Sequence, residues 1–509
     1  MTTAAIEKTY TCKDKNGNLK LDIETLTKDI IDEHEFLCLP DTEEVLVYDN
    51  GYWRYGGEEV IKAEAEYRVG LNKVLTTHAV NEVIGHIQRS TYKPRWLLNR
   101  QPELINLKNG ILDIRARELK PHTPEFLCTI RIPVTFDPGA DCPRIKRFFA
   151  EVLEPQDIPV IEELFGYCLI PDYSIQKALL FVGDGSNGKS TLLNLLKAFI
   201  GKENVSNVPW HALELDRFAK SALEGKLVNM FADIPSQGLS YTGAFKMLTG
   251  GDSIGTEKKF RDYFSFTNFA RLVFSSNKPP KIYQEDSYAF WRRWIVLNFP
   301  NQFVGDNEDK QLLGKLTTEG ELSGLLNIAL DGLDRLFKNQ GYSYGKSVEE
   351  TTEIYMRVSD PVYAFLQDLC DGTPNKWVSK DDLYRLFCLY CEGNAIPLLK
   401  PNSFARSLQN QAHFKVTSTR PEVNKERITA WQGISVKDVK DVKDFSLLKT
   451  ILMTYSNNKI GENPDIPDNP DAKAICPTCG GTDWWQRVTG EWVCQRCHPD
   501  PYKNKNKRG

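Results

Sequence analysis

The stretch "FVGDGSNGKSTLLNLL", residues 181 to 196, sets Gly183, Gly188, Lys189 and Ser190 in the order G-x-x-x-x-G-K-[ST]. The apolar "ALLFV" before the loop reads as a strand, and the leucine-faced "TLLNLLKAFI" after it as a helix. In that setting glycines let backbone N–H groups turn toward phosphate oxygens, and the helix N-terminus adds partial positive charge. The spacing predicts a nucleoside triphosphate site formed by Gly183, Asp184, Gly185, Ser186, Asn187, Gly188, Lys189, Ser190 and Thr191. Lys189 is expected to reach the β- and γ-phosphates, and Ser190 to ligate Mg²⁺.

Cleaving a triphosphate also takes a carboxylate on the metal, a polar group at the γ-phosphate and a cation for the transition state. "KLVNMFADIP" ends an apolar strand at Asp233, which is either the Mg²⁺-directed acid or an ordinary strand-end aspartate. "RLVFSSNKPP" ends another at Asn277, able to orient water or simply to form the turn before Lys-Pro-Pro. "DSYAFWRRWIVLNF" puts Arg292 and Arg293 just ahead of a further strand. They read as salt-bridged surface residues or as a finger into a neighbouring subunit's nucleotide.

A second chemistry lies near the C-terminus, where "CPTCGGTDWWQRVTGEWVCQRCHPD" spells C-x2-C-x14-C-x2-C. Cys476, Cys479, Cys494 and Cys497 are expected to hold Zn²⁺ tetrahedrally, with His498 as a substitute for Cys497. So small a unit has little core, so the metal should fold it. Trp484, Trp485 and Trp492 divide between core and a stacking face, and Lys503, Lys505, Lys507 and Arg508 favour a nucleic-acid surface. Paired disulfides are the alternative, but eight further scattered cysteines fit a reducing compartment better.

The elements around these groups alternate. Leu21, Ile23, Leu26, Ile30 and Ile31 have helical spacing, and "VLVYDNGYWRY" reads as two strands around an Asn-Gly turn. "NLKNGILDIRARELKPH" suggests more short strands, and helical periodicity takes over from about Cys142. The expected organisation is an α+β region over 1–140, an ATPase with helical flanks over 141–345 and a helix-rich unit over 346–440. A helix and Pro/Asn/Asp-rich linker follow over 441–474, and a zinc ribbon with a basic tail over 475–509. Of 509 residues 41% are hydrophobic, enough for ordinary cores, yet no run approaches the roughly 20 apolar residues of a membrane span. No secretory pattern opens the chain, so a cytoplasmic protein without a membrane partner is expected. A net charge of -4 excludes an evenly basic surface but not a local nucleic-acid track.

The order of the phosphate loop, Asp233, "KMLTGGDSIGTEKKFRDYFSFTNFARLVFSSNKPP" and Arg292 resembles a superfamily 3 helicase. More narrowly it resembles the helicase half of phage, plasmid and poxvirus primase-helicases, over roughly 40–435 and most specifically over 181–300. "LKNGILDIRARELKPH" and "CPRIKRFFAEVL" are similar to the region that precedes the ATPase there. The resemblance implies an AAA+-like α/β P-loop ATPase that forms a ring, usually a hexamer, and moves 3′-to-5′ along single-stranded or forked DNA. It makes Lys189 and Ser190 the Walker A pair, Asp233 the Walker B acid, Asn277 the sensor and Arg292 or Arg293 the finger. It also makes "GGDSIGTEKKF" the start of a channel hairpin, with Lys259 contacting DNA and Lys258 and Phe260 beside it. Apart from the family, Lys-Lys-Phe-Arg offers phosphate neutralisation and a stacking face, or else a solvated charge run.

Many relatives carry two adjacent acids at the Walker B position, whereas Ile234 and Pro235 follow Asp233 here. The base role therefore falls to Asp233 or to another carboxylate. Residues 1–95 are too short for a primase domain and lack a strand-borne D-x-D, which implies a helicase with a separate primase or polymerase partner. The segment from "DPVYAFLQDLC" onward follows the winged-helix pattern of three helices and a hairpin. Ser403, Arg406 and Lys415 would face phosphates there, unless the unit docks a protein instead. The expected function is an ATP- and Mg²⁺-dependent, ring-forming DNA helicase in replication of a mobile element, plasmid or virus. An ATP-switched origin-binding or loading protein is the alternative.

Overall fold

Five short, nearly uninterrupted apolar runs make a parallel sheet, as expected for strands covered on both faces. They are β1 (Ala178–Val182), β2 (Val205–Ser206), β3 (Val228–Phe231), β6 (Arg271–Ser276) and β7 (Trp294–Asn298). Between β3 and β6 the chain forms a separate antiparallel pair, β4 (Ser253–Glu257) and β5 (Tyr263–Thr267). The sheet order is β2-β3-β6-β1-β7, so the first strand lies inside the sheet with β6 and β7 on its two sides. All four pairings are parallel, and Val182 lies level with Ser276 on one side and Asn298 on the other. The carboxyl ends of all five strands therefore share one edge.

The computed structural model describes residues 10–437 apart from 14, 16, 71–72, 236–237, 259–262, 283–286, 306–307, 395, 397, 412–413 and 424–425. It also describes the backbone of 484–486 and 492–494. The chain divides into two compact units, Met1–Tyr355 and Met356–Gly509. In the first, helix Ile23–Glu33 begins where the Asp22 side chain accepts from Thr25 N. Strands Val45–Asp49 and Tyr52–Tyr55 turn at Asn50 and Gly51, both at positive φ, as the Asn-Gly pair predicts. A second antiparallel sheet runs through Leu104–Leu107, Gly110–Asp113 and Glu118–Lys120. This N-terminal region and the parallel sheet share one unit, tied by ion pairs such as Arg95 with Glu224 and Arg117 with Asp334. Trp210, Phe245 and Phe290 pack against Phe274 of β6 and Trp294 of β7, with Phe245 stacked on Trp294 at 4.6 Å. Among the described residues no helix is long and apolar enough to cross a membrane.

In the second unit, helices Pro361–Leu369, Lys380–Gly393 and Pro401–Gln409 pack around Phe365, Phe387 and Phe404. Strand Cys370–Ser379, absent from the sequence expectation, pairs with Ala430–Val436, which also pairs with Thr417–Thr419. "DGTPNK" reads locally as a turn, and only its distant partner makes it a strand. Ser403 and Arg406 lie on the exposed face of Pro401–Gln409, and Lys415 is exposed beyond it. Near the C-terminus, Trp484–Gln486 pairs antiparallel with Trp492–Cys494. Cys476, Cys479, Cys497 and His498 lie outside the described residues, as does the basic tail.

Candidate nucleotide site

The phosphate loop leaves β1 at Gly183 and enters helix Lys189–Ile200 through Gly188. Gly188 has φ +87°, and a Cβ there would meet Val152 Cγ1 at 2.6 Å, so only glycine lets the loop lie against helix Pro143–Val152. No side chain caps the helix, so its first N–H groups remain turned toward the loop. Asn187, buried to 3% exposure, donates to Phe299 O at 3.3 Å and accepts from Lys189. Phe303 N donates to Ser186 O at 2.7 Å. The segment that follows β7 thus braces the loop from outside, a role that the loop motif itself does not reveal.

Lys189 is buried, and its ammonium donates to Gly183 O at 2.7 Å, Asp184 O at 3.0 Å and Asn187 Oδ1 at 2.9 Å. Burial pushes its pKa below the ordinary lysine value, and the charges of Asp184 and Asp233 oppose that shift. The loop therefore stores one cation among oxygens that a phosphate can replace. Ser190 is exposed at the helix start and Thr191 is half-buried.

Asp233 lies two residues past β3 and Asn277 directly after β6, so both emerge at the loop's edge of the sheet. Both are exposed, and among the described residues neither side chain makes a hydrogen bond or ion pair. Asp233 holds φ +54°, a left-handed geometry that aspartate tolerates better than most residues. The exit from β3 is pinned to β6 by Ile234 N on Ser275 O at 3.2 Å. Beside the loop a cleft of about 870 Å³ is lined by Arg144, Phe148, Val152, Thr191, Phe303 and Leu312, among others. The sequence had not pointed to it, because its walls come from segments on both sides of the sheet strands.

Arg292 and Arg293 are not brought to this edge. Arg293 O accepts from Ala178 N, the first residue of β1, so both arginines sit at the opposite edge. Arg293 is 8% exposed, donates to Ala289 O, and burial lowers its pKa, with Arg292 adding to the shift. Arg292 is half-buried and donates to Gln176 Oε1 at 2.6 Å. Lys258 turns inward onto Glu44 and Glu224, while Lys259 and Phe260 lie outside the described residues.

Two other groups bear on metals. Glu33, His34 and Glu64 are close enough to share an ion, but Arg68 already pairs with both carboxylates, at 2.6 and 3.1 Å. The described cysteines are free thiols, and burial raises those of Cys128 and Cys168 to about 12, which suits packing rather than reactivity.

Comparison with known proteins adds a second line. Residues 24–154 match the family described as D5 N terminal like. Residues 181–293, from the phosphate loop to Arg293, match a family of unknown function, DUF5906. The chain is 24% identical over 336 residues to the protein named "Putative helicase L207/L206" of Acanthamoeba polyphaga mimivirus. That alignment takes in 60% of this chain, which spans about a third (35%) of the relative's length. Among solved structures, the A form apo structure of the NrS-1 C terminal region is 14% identical with a TM-score of 0.44, covering 80% of this chain and 97% of that one. A second apo structure of the same region is 13% identical with a TM-score of 0.45, covering 81% and 99%.

Proposed function

We propose that the protein is a nucleoside-triphosphate-driven DNA helicase acting in replication, with an AAA+-like core that works as a ring. The observation that carries this reading is the shared edge where the phosphate loop, Asp233 and Asn277 leave neighbouring parallel strands. The match of residues 24–154 to the D5 N terminal like family and the similarity to a viral protein named as a helicase support it.

In this reading the loop N–H groups and the Lys189 ammonium bind the β- and γ-phosphates, and the 870 Å³ cleft takes the nucleoside. Ser190 and Asp233, both exposed at that edge, would hold Mg²⁺, which supplies charge to the phosphates. Asn277 orients the attacking water, and Asp233 or a further carboxylate takes its proton. The missing cation is Arg292 of the neighbouring protomer, because a head-to-tail ring sets one chain's far edge against the next chain's site. The β4–β5 hairpin engages single-stranded DNA, with 3′-to-5′ movement. The second unit acts as a winged-helix-like domain presenting Ser403, Arg406 and Lys415, and Cys476, Cys479, Cys494 and Cys497 hold Zn²⁺ in a ribbon.

Strand displacement on forked DNA, with ATP and Mg²⁺ and with either tail polarity, tests the proposal. Displacement from a 3′ tail by closed rings is expected. DNA binding that responds to ATP without displacement would favour a loading protein instead.

A further inference from the structure

The root of the β4–β5 hairpin is fastened by charge. Its two strands alternate, burying Ile254, Thr256, Phe264 and Phe266 and exposing Ser253, Gly255, Ser265 and Thr267. Lys258 follows β4 immediately, and its ammonium lies 3.0 Å from Glu44 Oε1 and 3.0 Å from Glu224 Oε2. It also sits 5.4 Å from the ring centres of both Tyr55 and Phe264. Arg95 bridges the same two carboxylates, pairs with Asp41 at 2.7 Å and lies 5.0 Å from the Phe264 ring centre.

Three parts of the fold meet in this cluster. Asp41, Glu44, Tyr55 and Arg95 belong to the N-terminal region, Glu224 precedes β3, and Lys258 and Phe264 belong to the hairpin. The Glu224 side chain is 9% exposed, Arg95 13% and Lys258 29%. At that depth a charge needs its partners, and removing one leaves the others uncompensated. Burial would raise the Glu44 pKa, but Lys258, Thr42 and Arg95 outweigh it and hold the carboxyl below its usual range. Lys226 also feels both Glu224 and Lys258. A second tie, Thr256 Oγ1 to Arg217 O at 2.9 Å, holds the hairpin independently, so losing the ionic one need not dissolve it.

Neither a solvated lysine run nor a DNA contact accounts for an ammonium held between two carboxylates. We propose that Glu44 and Glu224 are positioning residues for the hairpin, gripping Lys258 between them so that the N-terminal region sets where the hairpin root sits. The consequence for DNA rests on the hairpin role given above. Glu224 and Asp233 flank the same short strand, β3, at its two ends. A shift of that strand during hydrolysis therefore reaches the hairpin through Lys258.

Hydrogen exchange on the full-length protein, read over 253–258 and 263–267, tests the grip directly. Glu44→Gln and Lys258→Met should each speed exchange there by roughly tenfold, as expected for losing a charge-assisted bond. The double variant should exchange more slowly than the two single effects combined would give, because the Glu44–Lys258 pair is lost in both. Lys258→Arg should retain protection, and β1 and β6 should be unaffected throughout. Unchanged protection in Glu44→Gln, or fully additive effects in the double variant, overturns the proposal. In a second arm, Glu44→Gln should need several-fold more single-stranded DNA for half-maximal stimulation of hydrolysis, with basal turnover unchanged. Faster exchange with an unaltered DNA response would leave the grip standing and overturn the hairpin's DNA role instead.

Discussion

Mixing Lys189→Ala chains with Arg292→Ala chains should restore hydrolysis that neither variant has alone. Arg293 is level with the start of β1 and the phosphate loop follows its end, so five strand rises, about 16 Å of packed sheet, separate the arginines from their own loop. An arginine side chain cannot span that distance, but it can cross a boundary between protomers. Of the two, Arg292 is the partly exposed one, donating to Gln176 Oε1, whereas Arg293 is committed to Ala289 O. Losing such a cation costs about a thousandfold in turnover, so each parent should be nearly inactive. In a random equal mixture a boundary works when one chain keeps Lys189 and its neighbour keeps Arg292, which holds at about one boundary in four. Phosphate release after subunit exchange should therefore peak near an equal ratio at about a quarter of the wild-type rate. A mixture no faster than its parents at every ratio refutes the cross-boundary arginine. Arg293→Ala showing that loss and recovery in its place would move the role to the buried neighbour.

Gly188→Ala should cost about 2 kcal/mol or more, from left-handed backbone strain and the contact with Val152, and should abolish nucleotide binding. Thermal melts and nucleotide titration would read both effects. Burial holds Lys189 below the ordinary lysine value, so between the two values the unfolded chain binds more protons than the folded one. This group's contribution to stability therefore rises with pH in that window, while its phosphate grip weakens. Nucleotide affinity should fall as pH rises toward the ordinary lysine value, and a flat profile would count against the ammonium's role. Strong chelation should remove about one zinc ion per chain while leaving basal hydrolysis intact, and Cys479→Ser should lower the metal content measured by mass spectrometry.

The phosphate loop was legible because its requirements are local: two glycines, a lysine and a hydroxyl between a strand and a helix. The helix at Ile23–Glu33, the Asn50–Gly51 turn and the apolar strands of the sheet were legible for the same reason. Strand Cys370–Ser379 was not, since a Gly- and Pro-containing run becomes a strand only through Ala430–Val436. The pairing of Lys258 was not legible either, because neighbouring lysines look alike in one dimension. Glu44 and Glu224, which hold it, lie in distant parts of the chain.

By itself the sequence determined which groups exist and what local geometry each prefers, since glycine φ, apolar periodicity and strand-end position depend on near neighbours. Only the tertiary structure decided which sheet edge each group occupies and which carboxylates take up each cation. Sheet order and charge pairing act through space between segments far apart in the chain, and a buried ammonium binds the nearest oxygen whatever its place in the sequence.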